Sequence, residues 1–432
     1  MKTLLKERSL LIFTIIFTIT LMIGIMGWEK AYCQEKGAPI VIGFALPLGS
    51  PQVQDTLRAV RLAIEEINAK GGVQVGKIKR PFEVVSVDTR EHEPGFPTHE
   101  ALIAVEKLIT EKKPHAIIGG YRSEAVLAVF DLIAKYKVPY LTPIAMTPLF
   151  EKRFNEDREK FKYMFRVGNT VTGFYAILEQ FMEFMKKEHN LNSVYAVTTD
   201  ILSWRGVMGM LTPNLEKMGW KLLAYDKVPL GTSDFTSSLS RAKSEKAQIL
   251  LVFIETPEGG ILFKQAKAMK VPALIAGIVA VAVQETSWDA FKGEVEGSCH
   301  IFQEIGQLPV KAWPKSVEFF QKYEKRWGIE TRRKLTDHGI APAYDAMHIL
   351  TNVIERAGSL EPDAIVKGLE NTDHLGAIGR IRFNKDHNVI YGFNPKETAV
   401  GVMFQWKAPG VKVPVFPKEI AEGAVDLPFS VK

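Results

Sequence analysis

Ile40-Val-Ile-Gly-Phe-Ala-Leu-Pro-Leu-Gly49, then a short polar loop, then a segment ending Ala63-Ile-Glu-Glu-Ile-Asn-Ala-Lys-Gly-Gly72, decides the fold of this chain. The first stretch is apolar and rich in Ile and Val, so it reads as a buried strand. Leu57, Val60, Ile64 and Ile67 recur at helical spacing and give the following segment one apolar face. Gly71 and Gly72 supply the left-handed geometry that stops a helix. Strand, loop and helix in this order place the loop at the carboxyl edge of a sheet, where open α/β proteins bind ligands.

The same unit repeats outward from there. Phe82 to Val87 reads as a strand ending at Asp88, followed by a helix from about Thr98 with Leu102, Val105, Leu108 and Ile109 as its stripe. His115 to Ile118 is the next strand, leaving through Gly119-Gly-Tyr-Arg-Ser123, with Ser123 as the expected N-cap of a helix through Lys135. Val138 to Thr142 follows and leaves through Pro143-Ile-Ala-Met-Thr147. Such alternation implies a parallel sheet covered by helices on both faces. A charged interval, Glu151 to Lys162, interrupts it. The rhythm restarts after Phe165-Arg-Val-Gly168, with strands at Val194–Thr198, Leu222–Tyr225, Gln248–Ile254 and Ala273–Ala276, the last opening into a loose stretch, 277–284. Helical runs at Lys315–Trp327, Ala341–Arg356 and Asp363–Leu369 precede strand-like alternation at Ile378–Phe383 and Ala399–Trp406. The late helices must pack somewhere, a return to the first unit would bury them, and no Gly/Ser- or Pro-rich linker appears. The chain is therefore expected to cross between two lobes more than once, with the crossings acting as a hinge.

Bulk properties narrow the class. A hydrophobic fraction of 46% with mean hydropathy near zero fits a globular chain rather than a disordered or multi-span one. Lys2, Lys6 and Arg8 precede the apolar run Leu10–Trp28, and Ala31-Tyr-Cys33 offers small residues for cleavage, so residues 1–33 read as a secretory signal peptide. The alternative is retention as an N-terminal membrane anchor. Removing those residues takes four basic and two acidic side chains, and the net charge falls from +6 to +4. With no dense Lys/Arg block and interleaved aromatics, nucleic acid is not an expected partner. Cys33 and Cys299 are the only cysteines, which excludes a disulfide framework in an exported protein. Cys33 lacks the preceding residues expected of a lipid-attachment site, since Lys30-Ala31-Tyr32 stands there.

Several of these motifs carry a family likeness. Ile64-Glu-Glu-Ile-Asn-Ala-Lys-Gly-Gly72, Ile118-Gly-Gly-Tyr-Arg-Ser123, Val138-Pro-Tyr-Leu-Thr-Pro143 and Phe165-Arg166 resemble the branched-chain amino-acid-binding proteins, the periplasmic receptors of ABC importers. Asp234-Phe235, Gln405-Trp406 and Val415-Phe-Pro417 continue the likeness to the C-terminus. The resemblance implies an α/β protein of two doubly wound parallel-sheet lobes, a Venus flytrap of the type I periplasmic binding fold with three interlobe crossings. Its division is expected as a first part of lobe one at 38–167, a first part of lobe two at 168–302, a return to lobe one at 303–398, and a C-terminal part of lobe two at 399–432. It implies a periplasmic monomer that encloses a small molecule in the cleft and delivers it to a permease, with no cofactor, metal or catalysis. A sensory module of the same fold is the alternative.

The resemblance also nominates site residues. The loops that hold a ligand's carboxylate and ammonium correspond to Tyr121–Glu124 and Ile144–Thr147, with Ser123 and Ala145 matching best, and an aromatic from lobe two falls near Trp204. Two departures stand out. The acidic partner of the ligand's ammonium is missing from 277–280, and the first loop, Gly49 to Gln54, lacks a tyrosine. Glu255 and Glu285 are the replacements available for the former.

Each residue also has a structural reading. Ser123 caps its helix or donates to ligand, and the two are compatible. Arg122 and Arg205 grip a carboxylate or form surface ion pairs. Trp204 lines the cleft or packs inward. Thr147 offers a hydroxyl or shapes the turn before Pro148. With no ammonium partner evident, and with Arg122 and Trp204 near the cleft, the expected ligand is a small organic acid or amide, aromatic ones included, rather than a branched-chain amino acid. Gly71-Gly-Val-Gln-Val-Gly-Lys77 mimics a phosphate loop, but Ile78 replaces the metal-binding hydroxyl and the glycines follow a helix, so a hairpin or turn is expected. His92, Glu93, His99 and Glu100 meet no zinc spacing.

Overall fold

Ile40–Leu46 (β1) is buried almost throughout, because helices cover both faces of the sheet it belongs to. The computed structural model describes residues 37–91, 93 and 95–428; the signal-peptide segment, Cys33 and His92 lie outside them. Pro51 starts the helix Pro51–Ala69, where its missing N–H costs nothing. That helix buries Val53, Leu57, Val60, Ile64 and Ile67. Gly71 (φ +98°) and Gly72 (φ +86°) end it, and a Cβ on Gly72 would lie 2.5 Å from the Arg80 carbonyl oxygen. The phosphate-loop mimic that follows is a hairpin of Val73–Val75 (β2) and Ile78–Arg80 (β3).

Phe82–Asp88 (β4), Ala116–Gly119 (β5), Tyr140–Thr142 (β6) and Met164–Arg166 (β7) complete a five-stranded parallel sheet in the order β4-β1-β5-β6-β7. The charged interval before β7 forms two short helices, Leu149–Glu156 and Arg158–Phe161.

The second sheet has seven strands. Ser193–Thr199 (β8), Lys221–Val228 (β9), Ile249–Ile254 (β10), Leu274–Val279 (β11) and Cys299–Phe302 (β12) run parallel. The helices Val171–His189 and Leu202–Lys217 cover one face, and Thr236–Ser244 and Gly260–Ala268 the other. The expected loose stretch after Ala276 is partly strand. Gly277 (φ +127°) keeps β11 running beside Val252, whose carbonyl oxygen would lie 2.2 Å from an added Cβ. The small strands His374–Gly376 (β13), Gly379–Ile381 (β14), Tyr391–Gly392 (β15) and Ala399–Val400 (β16) form a separate sheet. Val402–Lys407 (β17) and Val411–Phe416 (β18) then add antiparallel to β12, so the second sheet is mixed at this edge rather than wholly parallel. Met403 enters the core on one face of that sheet while Val402, Phe404 and Trp406 enter the core on the other, as strand alternation requires.

The chain passes between the two sheets three times. It leaves β7 at Arg166 and enters a helix on the second sheet. It leaves β12 at Phe302 and returns through Pro314–Trp327 and Ile340–Ala357, which share a core with β1 and β5. It passes from β16 to β17 through Gly401 alone. A Cβ there would sit 2.3 Å from Ile177 Cδ1 and 2.9 Å from the Gln303 carbonyl oxygen, so a larger residue does not fit. Among the described residues no helix is long and apolar enough to cross a membrane.

Candidate ligand-binding cleft

The site expected from the sequence lies in the loops that follow β5 and β6 of the first sheet and β8 and β10 of the second. Tyr121, just past β5, donates from its hydroxyl to Gln52 Oε1 (3.3 Å), and Gln52 Nε2 donates to the His338 carbonyl (2.9 Å). Burial raises the Tyr121 phenol, and the acidic groups Asp337, Glu91 and Glu255 around it raise it further. Glu255 follows β10 of the opposite sheet. It adds to the acidic field on Tyr121, and Asp337 adds to the field on Glu255.

Glu255 is the most unusual group there. Both of its carboxylate oxygens are buried and neither has a hydrogen-bond partner among the described residues. Burial, with Asp337 adding repulsion, pushes its carboxyl up to about 8, although its own backbone N–H and the neighbouring Thr199 pull the other way. Asp337 is also raised, chiefly by burial, and accepts from Gln303 Nε2 (3.2 Å). An unpaired buried carboxyl is costly unless a ligand supplies the partner.

The loop after β5 differs from expectation. Arg122, not Ser123, is the N-cap of the helix Ser123–Tyr136, and no side chain caps that end within the loop. The reason is a remote acid. Glu91, 3% exposed, accepts from the backbone N–H of Arg122 at Oε2 (2.9 Å) and of Tyr121 at Oε1 (3.3 Å). The Arg122 guanidinium reaches the Glu91 carbonyl (3.5 Å) and pairs with Glu124 (3.5 Å) while staying largely exposed. It forms the surface ion pair rather than the carboxylate grip.

The loop after β6 is held from below. Arg166, fully buried, donates to the carbonyls of Met146 (2.9 Å) and Thr147 (3.0 Å), pairs with Glu151 (3.1 Å), and lies over the Phe150 ring. Ala145 and Thr147 are buried, and the Thr147 hydroxyl accepts from the Leu149 N–H (3.2 Å), which shapes the turn. Above this loop His338 faces the Ile144 carbonyl with Nε2 (2.7 Å) and Glu304 with Nδ1 (2.7 Å). Both partners are acceptors, so the imidazole serves both only when doubly protonated. Burial opposes that charge, but Glu304 and Asp337 outweigh it and hold the His338 pKa above its ordinary value. Glu304 also accepts from Asn169 N–H (3.0 Å) in the first crossing and Gly339 N–H (3.2 Å). One carboxylate thus joins two crossings to the ligand-facing loop.

Other expectations resolve differently. Trp204 is 4% exposed, stacked on Phe253 (5.0 Å between centroids) and tilted against Phe174 (5.4 Å), so it serves the second lobe's core. Arg205 pairs with Asp200 (2.7 Å) at the surface. Glu285 is engaged by Arg332. No group of His, Cys, Asp and Glu suited to a metal occurs among the described residues. Glu91, Asp337, His338 and Glu304 were not singled out from sequence. Their only local signals are position just past a strand (Thr89-Arg-Glu91) and just before a glycine-started helix (Asp337-His-Gly339).

Residues 39–394 match the family described as periplasmic binding protein. The chain belongs to that family. Among curated relatives, the leucine-, isoleucine-, valine-, threonine- and alanine-binding protein of Pseudomonas aeruginosa is 22% identical over 80% of this chain and 86% of its own length. The Leu/Ile/Val-binding protein BraC3 of Rhizobium johnstonii is 23% identical over 82% and 90%. Among solved structures, the branched-chain amino acid transporter substrate-binding protein LivJ from Streptococcus pneumoniae, in complex with isoleucine, superposes with a TM-score of 0.65. It is 21% identical and covers 88% of this chain and 100% of its own. A solute-binding protein of an ABC transporter from R. palustris, in complex with benzoate, has a TM-score of 0.67 at 15% identity and covers 91% and 99%. The type I periplasmic binding fold is thereby shown, and a substrate-binding receptor is the family's role.

Proposed function

We propose that this binding protein is the extracytoplasmic receptor of an ABC importer, and that its cleft closes on a small solute whose recognised head, a primary amide or an amine, is held by Glu255. The lobes are 38–167 with 303–400 and 168–302 with 402–428, the last boundary moving from 398 to the crossing at Gly401 because Ala399 packs in the first lobe's core. The observation that carries the ligand class is the buried Glu255 carboxyl, whose two oxygens have no hydrogen-bond partner among the described residues. A protonated carboxyl donates and accepts at once, which suits an amide; an ionised one suits an ammonium. The organic-acid half of the sequence expectation loses its basis, because Arg122 pairs at the surface and Glu91 already occupies the donors beside it. The relatives' names favour transport over the sensory alternative, and they motivate a second reading, a branched-chain amino acid with its ammonium at Glu255.

The mechanism is differential binding. A solute shifts the open–closed equilibrium only by favouring the closed state, and moving it from mostly open to mostly closed takes about 5.5 kcal/mol. Supplying a hydrogen-bond partner to the buried Glu255 carboxyl when the cleft closes over the solute is one source. A thermal-shift screen of amides, amines, amino acids, aromatic acids and urea tests the reading. An amide or amine should raise Tm. Glu255→Leu should lower its affinity by about tenfold or more, about 1.4 kcal/mol. Glu255→Gln should keep an amide and lose an amine. Binding of carboxylates alone, or binding indifferent to Glu255→Leu, contradicts it.

A further inference from the structure

Beyond the three crossings, the loop after β11 meets the segment that leads into the helix Ile340–Ala357. Arg332 pairs with Glu285, the Glu285 N–H donates to the Arg333 carbonyl (2.9 Å), and the Arg333 guanidinium donates to Asp289 (2.8 Å). Each side is fixed to its own lobe. In the first, Arg332 is 9% exposed, donates to Glu324 (2.7 Å) and lies over the Phe320 ring (4.7 Å), while Leu335 enters the core shared with β1. In the second, Ala282 and Val283 enter the core that also holds Phe404 and Trp406. The Ala282 carbonyl accepts from Trp406 Nε1 of β17 (2.7 Å), the Val283 carbonyl from Lys412 Nζ of β18 (3.0 Å), and the Val281 carbonyl from the Ser287 hydroxyl. Hydrogen bonds weaken steeply with stretch and misalignment, so a bend of one lobe against the other strains all three contacts at once. The carboxylate oxygens of Glu255, just past β10, are buried in the arrangement that forms them, as a shut cleft requires.

We propose that Arg332 and Arg333, with Glu285 and Asp289, form a breakable strap between the lobes that stabilises the shut arrangement and sets how much of the ligand-free protein is closed. This rests on the reading of the chain as a solute receptor that bends at its crossings, and not on which solute it takes. An exposed ion pair alone contributes little. Here a mostly buried arginine, a second ion pair and a backbone hydrogen bond act together across the same gap. Apparent affinity scales with the fraction of protein already competent to bind. The strap therefore tunes affinity for every solute by one common factor without touching any of them. Glu285, a sequence candidate for the ligand's ammonium, acts between lobes instead.

Spin labels on the two lobes test this without any solute. Ile103→Cys, on the helix Thr98–Lys112, and Leu230→Cys, after β9, are exposed sites for nitroxides, with Cys33→Ser and the buried Cys299 left unlabelled. Pulsed electron double resonance on the ligand-free chain should show two distances, the minor one from closed molecules. Arg333→Asp should shrink the closed fraction by about threefold or more, and Glu285→Gln should shrink it too. Combining Arg333→Asp with Asp289→Arg exchanges the charges and should restore it. The labelled chain with its strap intact gives a second measurement should those variants not fold. Raising sodium chloride from about 0.05 M to about 1 M should shrink the same fraction, because salt screens the pairs. A single distance with the strap intact, a closed fraction indifferent to Arg333→Asp or to salt, or no restoration on exchange overturns the proposal. The strap does not involve Glu255, so its failure leaves the amide-or-amine reading standing. A strap that behaves as expected in a chain with no Glu255-dependent amide or amine binding removes that reading alone.

Discussion

Glu255 ties stability, pH and recognition to one side chain. Its carboxyl sits near 8 in the folded chain against an ordinary 4.5, because burial disfavours the charge and Asp337 adds to the penalty. A carboxyl raised on folding contributes stability that is fully present below the unfolded value and is lost as pH rises through the folded one, at about 1.4 kcal/mol for each pH unit between the two. The ligand-free protein should therefore weaken between about pH 4.5 and pH 8, and Glu255→Gln should remove that loss. Denaturation at about pH 4 and about pH 8.5, either side of that window, checks this: the variant should match wild type at the lower pH and exceed it at the higher. Equal stability at both would mean the carboxyl is not strained. The same group gives binding a direction. An amine should bind more weakly as pH falls below about 8, since Glu255 must lose its proton, while an amide should hold its affinity there and weaken at higher pH. Arg166 is the structural counterpart. It is fully buried, and it holds two carbonyls of the loop containing Ala145. Arg166→Met should cost roughly 3 kcal/mol or more by leaving Glu151 and both carbonyls unpaired. Urea denaturation reads this loss, and a loss below about 1 kcal/mol would place it with exposed ion pairs instead.

At the scale of elements, the crossings and the ligand loop form one polar unit. His338 spans the Ile144 carbonyl and Glu304, and Glu304 takes the Asn169 N–H from the first crossing. A histidine whose pKa is raised on folding stabilises fully below its unfolded value near 6.5, and that contribution is lost as pH climbs through the higher folded value. His338→Gln should flatten the stability profile above neutral pH, measured by thermal melts from about pH 6 to about pH 9; an unchanged slope would show that the imidazole is not charged in the fold. These contacts explain what the sequence revealed and what it did not. The β1 strand and its helix were readable because apolar runs and helical spacing are local, and so were the hairpin or turn after Gly72 and the strands β4, β5, β6, β8, β9 and β10, whereas the three-residue β7 was too short to read. Glu91 with Arg122, Gln52 with His338, and His338 with Ile144 meet across 31, 286 and 194 residues, and no spacing rule encodes such a meeting. Trp204 misled for a related reason. An aromatic beside a strand's exit packs inward or outward depending on its neighbours, and Phe174 and Phe253 offered it a stack. Glu255 was visible only as a substitute for a missing acid, yet both its carboxylate oxygens are buried without a hydrogen-bond partner among the described residues.

The whole molecule is two α/β lobes joined three times, and that connectivity shapes its dynamics. Three crossings forbid free tumbling and leave a bending motion about Val167–Thr170, Gln303–Glu304 and Gly401. A side chain at Gly401 would collide with Ile177 and the Gln303 carbonyl, so the last crossing is fixed by lack of space. Closure is expected to bring Glu255 and Tyr121 together around the solute and to exclude water from both. The most direct measurement is small-angle X-ray scattering with and without a saturating amide or amine already shown to raise Tm. The radius of gyration should fall on addition for wild type and stay unchanged for Glu255→Leu at the same solute concentration. A solute that binds tightly to wild type yet leaves its radius of gyration unaltered would contradict closure over Glu255.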